Sequence, residues 1–317
     1  MNERLQEKRA TRDGFGEGLV LAGKKFKNVV VLTADLSEST RVEEFAKKFP
    51  QRFFEVGVAE QNLVTIASGL AASGKVPFAS SYAVFSPGRN WEQIRTTICY
   101  NNVPVVIVGA HAGLTVGADG ATHQALEDIA LMRVLPNMQV LYPCDAVEAK
   151  KATLALVKTK KPAYIRLARE KSSILTSDMD PFEIGKARVM RKGKDVTLVS
   201  TGPILGVVLH AAFKLGTKGI SAEVVHFATI KPLDTKTLSS SVKKTGALVS
   251  VEEHQVAGGF GSAVAEALSQ IKPTPQEFIG MHDQFGESGT GDELLQKYAI
   301  SAEAIAKAAQ KVIKRKK

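Results

Sequence analysis

Apolar segments of strand length alternate along the chain with longer segments of helical period. Residues 28–34 (NVVVLTA) are apolar almost without interruption, as in a strand buried on both faces of a parallel sheet. Five more strands are predicted, at 53–56, 76–80, 104–109, 139–142 and 163–167. The helices predicted between them lie at 41–48, 59–73, 90–100, 124–134 and 146–158. This alternation predicts an α/β fold in which the six strands form one mostly parallel sheet.

The alternation stops between Lys171 and Lys194, in a polar stretch that contains proline and glycine and is typical of a linker between domains. It then resumes, with strands predicted at 195–200, 223–226, 247–251 and 277–280. Helices are predicted at 204–215, 234–245, 261–270 and 302–314. We therefore predict two doubly wound α/β domains, a six-stranded mostly parallel sheet followed by a smaller mixed sheet. They would occupy residues 1–175 and 195–317, joined by a linker at 176–194.

Composition fits a soluble globular protein, with 44% hydrophobic and 23% charged residues. No segment approaches the roughly 20 continuous apolar residues of a membrane span, so no membrane partner is expected. The first residues, Met1–Asp13, mix charges and lack the apolar run of a secretory signal, which predicts a cytoplasmic location. Cys99 and Cys144 have no CxxC or metal-ligand spacing, so we interpret both as buried thiols.

The chain carries 42 basic and 32 acidic residues, for a net charge of +10. Its lysines cluster at 24–27, 158–161 and 314–317, beside helical patterns and with few aromatic residues on which bases would stack. We therefore predict no nucleic-acid partner. The positive charge instead favours anionic small molecules, including phosphorylated ones.

Three segments concentrate polar residues at the carboxyl ends of predicted first-domain strands, where open α/β sheets bind their ligands. Glu60 begins the most apolar helix, and its apolar flanks predict a buried carboxyl, although helix-capping glutamates are common. Residues His111–His123 (HAGLTVGADGATH) form a glycine-rich loop with two histidines, and a long loop of this kind is either functional or a simple surface loop. Tyr82–Arg89 (YAVFSPGR) holds two aromatic residues that by themselves would fit a hydrophobic core equally well.

Other catalytic motifs are not supported. Gly258–Gly261 precedes a helix, but residue 264 is Val, so the G-x-G-x-x-G dinucleotide pattern is not met. The sequence contains no Walker A segment, no G-x-S-x-G elbow and no H-E-x-x-H pair. These patterns give no support to a nucleotide-binding, serine-hydrolase or zinc-protease function.

Five segments, taken in order and with their spacing, resemble the pyrimidine-binding domain of transketolase. They are Gly57–Asn62 (GVAEQN), Tyr82–Phe85 (YAVF), Asp119–Gln124 (DGATHQ), Leu131–Met138 (LMRVLPNM) and Tyr142–Asp145 (YPCD). Two later segments, Ile230–Asp234 (IKPLD) and Glu252–Ala263, resemble the transketolase C-terminal domain. The resemblance covers nearly the whole chain but only the second half of a full-length transketolase.

The resemblance implies thiamine diphosphate as cofactor. In this family a glutamate at the position of Glu60 protonates the pyrimidine ring, so Glu60 is expected to be buried with a raised pKa. Phe85 matches the aromatic residue that stacks on the pyrimidine, with Tyr82 beside it. The family often has another aromatic residue three positions later, where this chain has Gly88.

The resemblance also implies a substrate site. Arg12, Ser39, His111 and Arg169 match positions that hold the sugar phosphate, and Asp119 and His123 match residues that contact and polarise substrate hydroxyls. Glu60, His111 and His123 are then the expected catalytic residues. Asp35, in the turn after the first strand, matches the same region, although a local capping role is as good an interpretation.

One element of the family is missing from the sequence. Transketolases hold the diphosphate and its Mg²⁺ with a Gly-Asp-Gly segment and a downstream Asn, and this chain has no such pair. No metal ligand is therefore assigned to this chain. We expect the Mg²⁺ ligands on a transketolase N-terminal subunit, so that this chain is the C-terminal subunit of a split enzyme that forms a dimer of heterodimers.

The resemblance thus predicts an enzyme that transfers a two-carbon ketol unit between sugar phosphates and is active only with its partner. Two related functions stay open: the beta subunit of a 2-oxo acid dehydrogenase and half of a deoxyxylulose-phosphate synthase. The segment 119–123 and Arg169 favour a sugar phosphate over an oxo acid. A non-enzymatic binding module is the alternative from another class, and the joint presence of Glu60, His111 and His123 disfavours it.

Overall fold

The structure is a computed structural model that describes residues 7–316. The strands of its first half are β1 (Lys8–Ala10), β2 (Val29–Thr33), β3 (Phe53–Glu55), β4 (Val76–Tyr82), β5 (Val106–Ala110), β6 (Gln139–Leu141), β7 (Ala163–Arg166) and β8 (Lys171–Ser173). Its helices are α1 (Thr11–Lys25), α2 (Glu43–Lys48), α3 (Glu60–Ala72), α4 (Trp91–Gln93), α5 (Asp128–Arg133) and α6 (Ala146–Leu156), and α4 continues as a π-helix, Ile94–Tyr100.

The second half contains β9 (Arg188–Arg191), β10 (Val196–Ser200), β11 (Ala222–His226), β12 (Thr229–Lys231), β13 (Leu248–Gln255) and β14 (Gln276–Met281). Its helices are α7 (Leu205–Gly216), α8 (Thr235–Thr245), α9 (Phe260–Ile271), α10 (Gly291–Lys297) and α11 (Ala302–Ile313). β9 lies within the stretch predicted as a linker. Residues 1–6 and 317 lie outside the described residues. They include the two ends of the predicted domains, the start of the segment Met1–Asp13 and the last residue of the basic cluster at 314–317.

All six strands predicted for the large sheet are present and parallel, in the order β6-β7-β5-β4-β2-β3. Every residue of β2 and β5 is buried, as their uninterrupted apolar sequences predict. Among the described residues a seventh strand, β12, joins the edge of this sheet antiparallel to β6. The large sheet is therefore mostly parallel, as predicted, and takes one edge strand from the second half.

The smaller sheet has the order β14-β13-β10-β11-β9 within the described chain, and β9 is its antiparallel strand. It is therefore mixed, which confirms the predicted fold class. One hydrophobic cluster joins the two halves, because Leu63 and Ile107 of the first lie in the same buried cluster as Phe227 and Phe260 of the second. No helix in residues 7–316 combines the length and apolar character needed to cross a lipid bilayer.

The main helix that sequence patterning did not predict is α1. Four glycines within it lower its intrinsic helix propensity. Two of them are required by close packing on α6: a Cβ atom at Gly14 would lie 1.8 Å from the carbonyl oxygen of Ala146, and one at Gly18 would lie 2.8 Å from Cβ of Thr153. The contact that makes glycine necessary is thus also the contact that stabilises the helix.

Candidate active site

Glu60 is the first residue of α3 and lies at the edge of the large sheet. The apolar face of this helix is buried in the core, and Glu60 itself is only 4% exposed, which confirms its predicted burial. Its Oε1 atom accepts a hydrogen bond from Nη1 of Arg89 at 2.9 Å, and its carbonyl oxygen accepts one from Nδ2 of Asn90 at 2.9 Å. The carboxyl is therefore buried, oriented and paired with an arginine.

Arg89 also lies on the ring of Phe85. The guanidinium carbon is 4.1 Å from the ring centroid, which is a cation–π contact. Between these residues the chain turns tightly at Gly88, where a Cβ atom would lie 2.6 Å from the carbonyl oxygen of Val84. A third aromatic residue therefore does not fit at position 88 without a backbone shift. We call Glu60, Tyr82, Phe85 and Arg89 the Glu60 corner.

Tyr82, at the end of β4, connects this corner to both histidines of the glycine-rich loop. Its ring centroid is 5.8 Å from that of Phe85 and 4.1 Å from that of His111. The ring of His123 lies edge-on to Phe85 at 5.5 Å. The predicted stacking residues and the two predicted catalytic histidines thus form one cluster of rings.

His111 follows β5 directly, with a backbone φ of +54° that places it in the left-handed region. The imidazole is 3% exposed, and its Nε2 atom lies 3.2 Å from Nη1 of Arg12. Because a guanidinium only donates, Nε2 accepts, and we assign the proton to Nδ1. Burial, together with the positive charges of Arg12 and Arg169, lowers the pKa of His111 to about 3. The ring is therefore neutral at pH 7.

The predicted phosphate-binding residues lie around this histidine. Arg12, in the first turn of α1, also donates from Nη1 to the carbonyl oxygen of Ser39 at 2.9 Å; this contact uses the backbone of Ser39. Arg169 donates to the carbonyl oxygen of Val116 at 2.8 Å and to Oδ2 of Asp119 at 3.2 Å. The antiparallel pairing of β1 with β8 brings the start of α1 beside the segment after β7. Two arginines are thereby placed at the glycine-rich loop.

The second half of the chain holds this loop in place, which the sequence did not predict. Glu253, buried near the end of β13, accepts hydrogen bonds at Oε1 from the backbone nitrogen of Thr115 at 2.6 Å and from its hydroxyl at 2.8 Å. The buried amide of Gln124 donates to the carbonyl oxygens of Leu114, at 3.1 Å, and of Glu287, at 2.9 Å. The signal in the sequence was the run of titratable residues Glu252–His254 at the end of an apolar strand.

Two further buried polar groups link the halves. Arg166, with no exposed surface, donates to Oδ2 of Asp128 at 2.8 Å and to the carbonyl oxygen of Glu253 at 3.1 Å. Glu148 accepts at Oε2 from the backbone nitrogen of Cys144 at 2.7 Å and lies 2.8 Å from Nε2 of His226. Both cysteines are buried free thiols, as predicted. These contacts stabilise the packing of the second half against the first.

The chain matches two family models. Residues 7–173 match the pyrimidine-binding domain of transketolase, and residues 185–305 match the transketolase C-terminal domain. The chain belongs to the transketolase family. In its curated relatives this two-domain unit is found both as a separate chain and as half of a longer one.

Among relatives of similar length, a putative transketolase C-terminal section of Methanocaldococcus jannaschii is 46% identical over 93% of this chain and 94% of its own. The 6-deoxy-6-sulfo-D-fructose transketolase subunit SqwH of a Clostridium species is 38% identical over 96% of this chain and 95% of its own. One of the subunits of an apulose-4-phosphate transketolase from Phocaeicola vulgatus is 35% identical over 96% of this chain and 98% of its own. Transketolase subunits of this length thus occur with different named substrates.

Solved structures agree with this assignment. A split-gene transketolase described as an inactive beta4 tetramer superimposes with a TM-score of 0.91 at 47% identity, covering 97% of this chain and 99% of its own. Transketolase from Campylobacter jejuni has a TM-score of 0.81 at 23% identity, and this chain covers 46% of its length. The second similarity shows the fold alone, in a chain about twice as long.

Proposed function

We propose that this chain is the C-terminal subunit of a split transketolase that transfers a two-carbon ketol unit between sugar phosphates. The observation that carries the proposal is the position of the buried Glu60 corner next to the two histidines of the glycine-rich loop. The names of the relatives as transketolase subunits support it. We further propose that the complete site forms only with an N-terminal partner subunit. The inactivity of the split-gene relative as a beta4 tetramer favours this requirement.

The Glu60 corner fits the pyrimidine of thiamine diphosphate. The guanidinium of Arg89 is a flat group that lies on Phe85 and donates an N–H to Glu60, so the corner accommodates a planar nitrogen donor. When bound, thiamine diphosphate supplies the carbon nucleophile that ketol transfer requires. In this proposal Glu60 holds a proton between its carboxyl and the pyrimidine nitrogen, and Phe85 and Tyr82 position the ring by stacking.

The other predicted residues serve the substrate in this proposal. His111, which is neutral at pH 7, and His123 exchange protons with substrate hydroxyls. Asp119 orients one of these hydroxyls. Arg12, Arg169 and the Ser39 segment bind the phosphate, because arginine donates to phosphate oxygens in a bidentate manner. The overall charge of +10 fits anionic substrates.

We place the ligands of the diphosphate and of Mg²⁺ on the partner subunit. Within residues 7–316 the grouping of three potential ligand residues is Cys144, Glu148 and His226, which includes no residue of the Glu60 corner. Next to that corner the chain leaves apolar side chains open: Val58 is 69% exposed and Phe54 is 37% exposed. We propose that the partner subunit covers these two side chains. The dimer of heterodimers, the domain boundaries and the cytoplasmic location stay predictions.

A second candidate is supported by the 1-deoxy-D-xylulose-5-phosphate synthase of Desulforudis audaxviator, which is 35% identical over 93% of this chain and 47% of its own. The two functions differ in the donor, a ketose phosphate for one and a 2-oxo acid for the other. Arg169 and Asp119, which lie together at the glycine-rich loop, favour a sugar phosphate over a 2-oxo acid as the donor. Assays with each donor in turn distinguish them.

The first test is calorimetric titration of thiamine diphosphate with Mg²⁺ into the chain alone and into its mixture with the transketolase-like N-terminal subunit of the same organism. We expect tight binding in the mixture alone, and its loss when the metal is chelated. In the mixture, Glu60→Gln should lower ketol transfer by about 100-fold or more, the lower range for loss of an acid–base group. Glu92→Gln, which removes an exposed carboxylate, is the matched control. Tight binding by the lone chain, or activity of Glu60→Gln within a few fold, would contradict the proposal.

A further inference from the structure

We propose that Arg89 occupies the place of the pyrimidine ring in the unloaded chain, and that cofactor binding displaces it. This inference rests on the proposed function, since it requires that Glu60 and Phe85 bind a pyrimidine. It concerns a residue to which sequence reasoning gave no role. It begins from two contacts, those of the guanidinium with Glu60 and with Phe85.

These two contacts are the ones that a bound pyrimidine would need. The ring would stack on Phe85 and bond to the carboxyl of Glu60. Arg89 already does both, with its guanidinium carbon 4.1 Å from the Phe85 centroid and its Nη1 atom 2.9 Å from Oε1 of Glu60. A separation of 4.1 Å is that of two flat groups in direct contact, so no ring fits between them. The pyrimidine and the guanidinium therefore exclude each other.

The main chain of Arg89 is held by hydrogen bonds, whereas its side chain is free to move. The amide nitrogen of Arg89 donates to the carbonyl oxygen of Phe85 at 2.8 Å, and its carbonyl oxygen accepts from Nε2 of Gln61 at 3.3 Å. The main chain is thus fixed at both polar groups. The side chain is 49% exposed, so the guanidinium can rotate into solvent without carrying a charge through the core.

Glu60 explains why such a residue is needed. With 4% of its surface exposed, its carboxylate would lie almost without solvent when no cofactor is bound, and a buried charge without a partner is strongly unfavourable. Arg89 supplies that partner until the pyrimidine nitrogen replaces it. Arg89 also covers Phe85 in the unloaded corner, where the ring contacts Tyr82 and His123 as well.

The decisive measurement is the Kd of thiamine diphosphate, with Mg²⁺, for the reconstituted pair of subunits carrying Arg89→Gln. We expect a Kd about three- to tenfold lower than that of the wild type, because a competing contact has been removed. Arg95→Gln, which removes an equal charge from an exposed position six residues further on, should leave the Kd unchanged. A residue with only a structural role would not tighten cofactor binding. An unchanged or higher Kd for Arg89→Gln would overturn the inference.

A second measurement uses the chain alone and does not depend on the enzyme. In a double-mutant cycle of Arg89→Gln and Glu60→Gln, we expect Arg89→Gln to lower Tm by about 2 °C when Glu60 is present and to have little effect when Glu60 is already replaced. Arg89→Lys should recover part of the loss, since it keeps the charge but not the flat stack. Additive effects would show that Arg89 does not serve Glu60.

The two measurements separate the failure of this inference from that of the proposed function. If Glu60→Gln leaves ketol transfer intact, or if no variant of the reconstituted pair binds thiamine diphosphate, the proposed function is wrong and the role of Arg89 falls with it. If the cofactor binds and Glu60 proves essential, but Arg89→Gln does not lower the Kd, only the displacement of Arg89 is wrong.

Discussion

The Glu60 corner and the glycine-rich loop belong to one site but are held by different parts of the molecule. The hydrogen bonds of Glu60 and the cation–π contact of Arg89 join residues between 60 and 90, all in the first half. The loop takes its contacts from distant segments: Arg12 at the start of the chain, and Glu253 and Glu287 in the second half. The proposed cofactor end is thus a local structure, whereas the proposed substrate end depends on long-range contacts.

One glycine of the loop, Gly113, shows how tightly the loop packs on the second half. Gly113 has a positive φ of +89°, and a Cβ atom there would lie 2.4 Å from Oε1 of Glu253. The glycine thus serves both the turn and the approach of the carboxylate to Thr115. A loop packed this tightly on the second half has its conformation set by that half. We infer that the second half positions the proposed substrate residues, in addition to completing the core.

Among substitutions that test this difference between the corner and the loop, the largest effect is expected for Glu253→Ala, which breaks the contact with Thr115. In the reconstituted enzyme, kcat/KM for sugar phosphates should fall by about 10- to 100-fold, because misplacement of a substrate-positioning group by about 1 Å can lower the rate to that extent. The Kd of thiamine diphosphate should change by less than about threefold, because the proposed cofactor end does not depend on Glu253. Amide hydrogen exchange across residues 113–119 should become faster.

Glu252→Ala is the matched control for this prediction. Glu252 is equally buried, but it accepts from the backbone nitrogens of Phe260, at 2.6 Å, and Gly261, at 2.8 Å, at the start of α9. Either substitution should lower the free energy of unfolding by about 1–3 kcal/mol, since each leaves buried donors without a partner. Only Glu253→Ala should alter exchange in the loop. Equal effects on the loop would show that the second half acts through general stability.

The contrast between local and long-range contacts also explains which features could be predicted from the sequence. The strands of the large sheet and the burial of Glu60 were predictable, because both follow from apolar runs within a few residues of each other. The role of Arg89 was not, because it depends on how the turn at Gly88 aims a side chain at a residue 29 positions earlier. The contact of Glu253 with Thr115 spans 138 residues, and no local pattern encodes a pair so far apart.

An intermediate effect is expected for the charges at the edge of the loop. Arg169→Ala should raise KM for phosphorylated substrates by about tenfold, the weight of one charge-assisted hydrogen bond, with little effect on unphosphorylated analogues. Arg188→Ala removes an arginine of similar exposure that pairs with Asp180, and it should change neither KM. Equal losses of Arg169→Ala on both substrate classes would show that Arg169 supports the loop through Val116 and Asp119 and does not bind phosphate.

The smallest effect concerns the pH dependence of stability at two buried histidines, His111 in the loop and His254 in the second half. Burial first of all lowers the pKa of His111 to about 3 and that of His254 to about 4, both from 6.5. The unfolded chain therefore takes up these protons first as the pH falls. The stability contributed by the neutral rings is complete above about pH 6.5 and is lost progressively below it, toward the folded pKa values.

Between pH 7.5 and pH 5.5 these two histidines should thus lower the free energy of unfolding of the lone chain, while buried Glu252, with its pKa raised to about 8, acts in the opposite direction. Relative to the wild type, His111→Asn should remove about 1 kcal/mol of the loss on acidification, since one pKa unit corresponds to about 1.4 kcal/mol. His254→Asn should remove a similar amount over this interval, because both folded pKa values lie below pH 5.5. Urea unfolding at the two pH values measures the difference. If His111→Asn leaves the acid sensitivity unchanged, then the pKa of His111 is the same in the folded and unfolded chains, and the lowered pKa assigned to this ring is wrong.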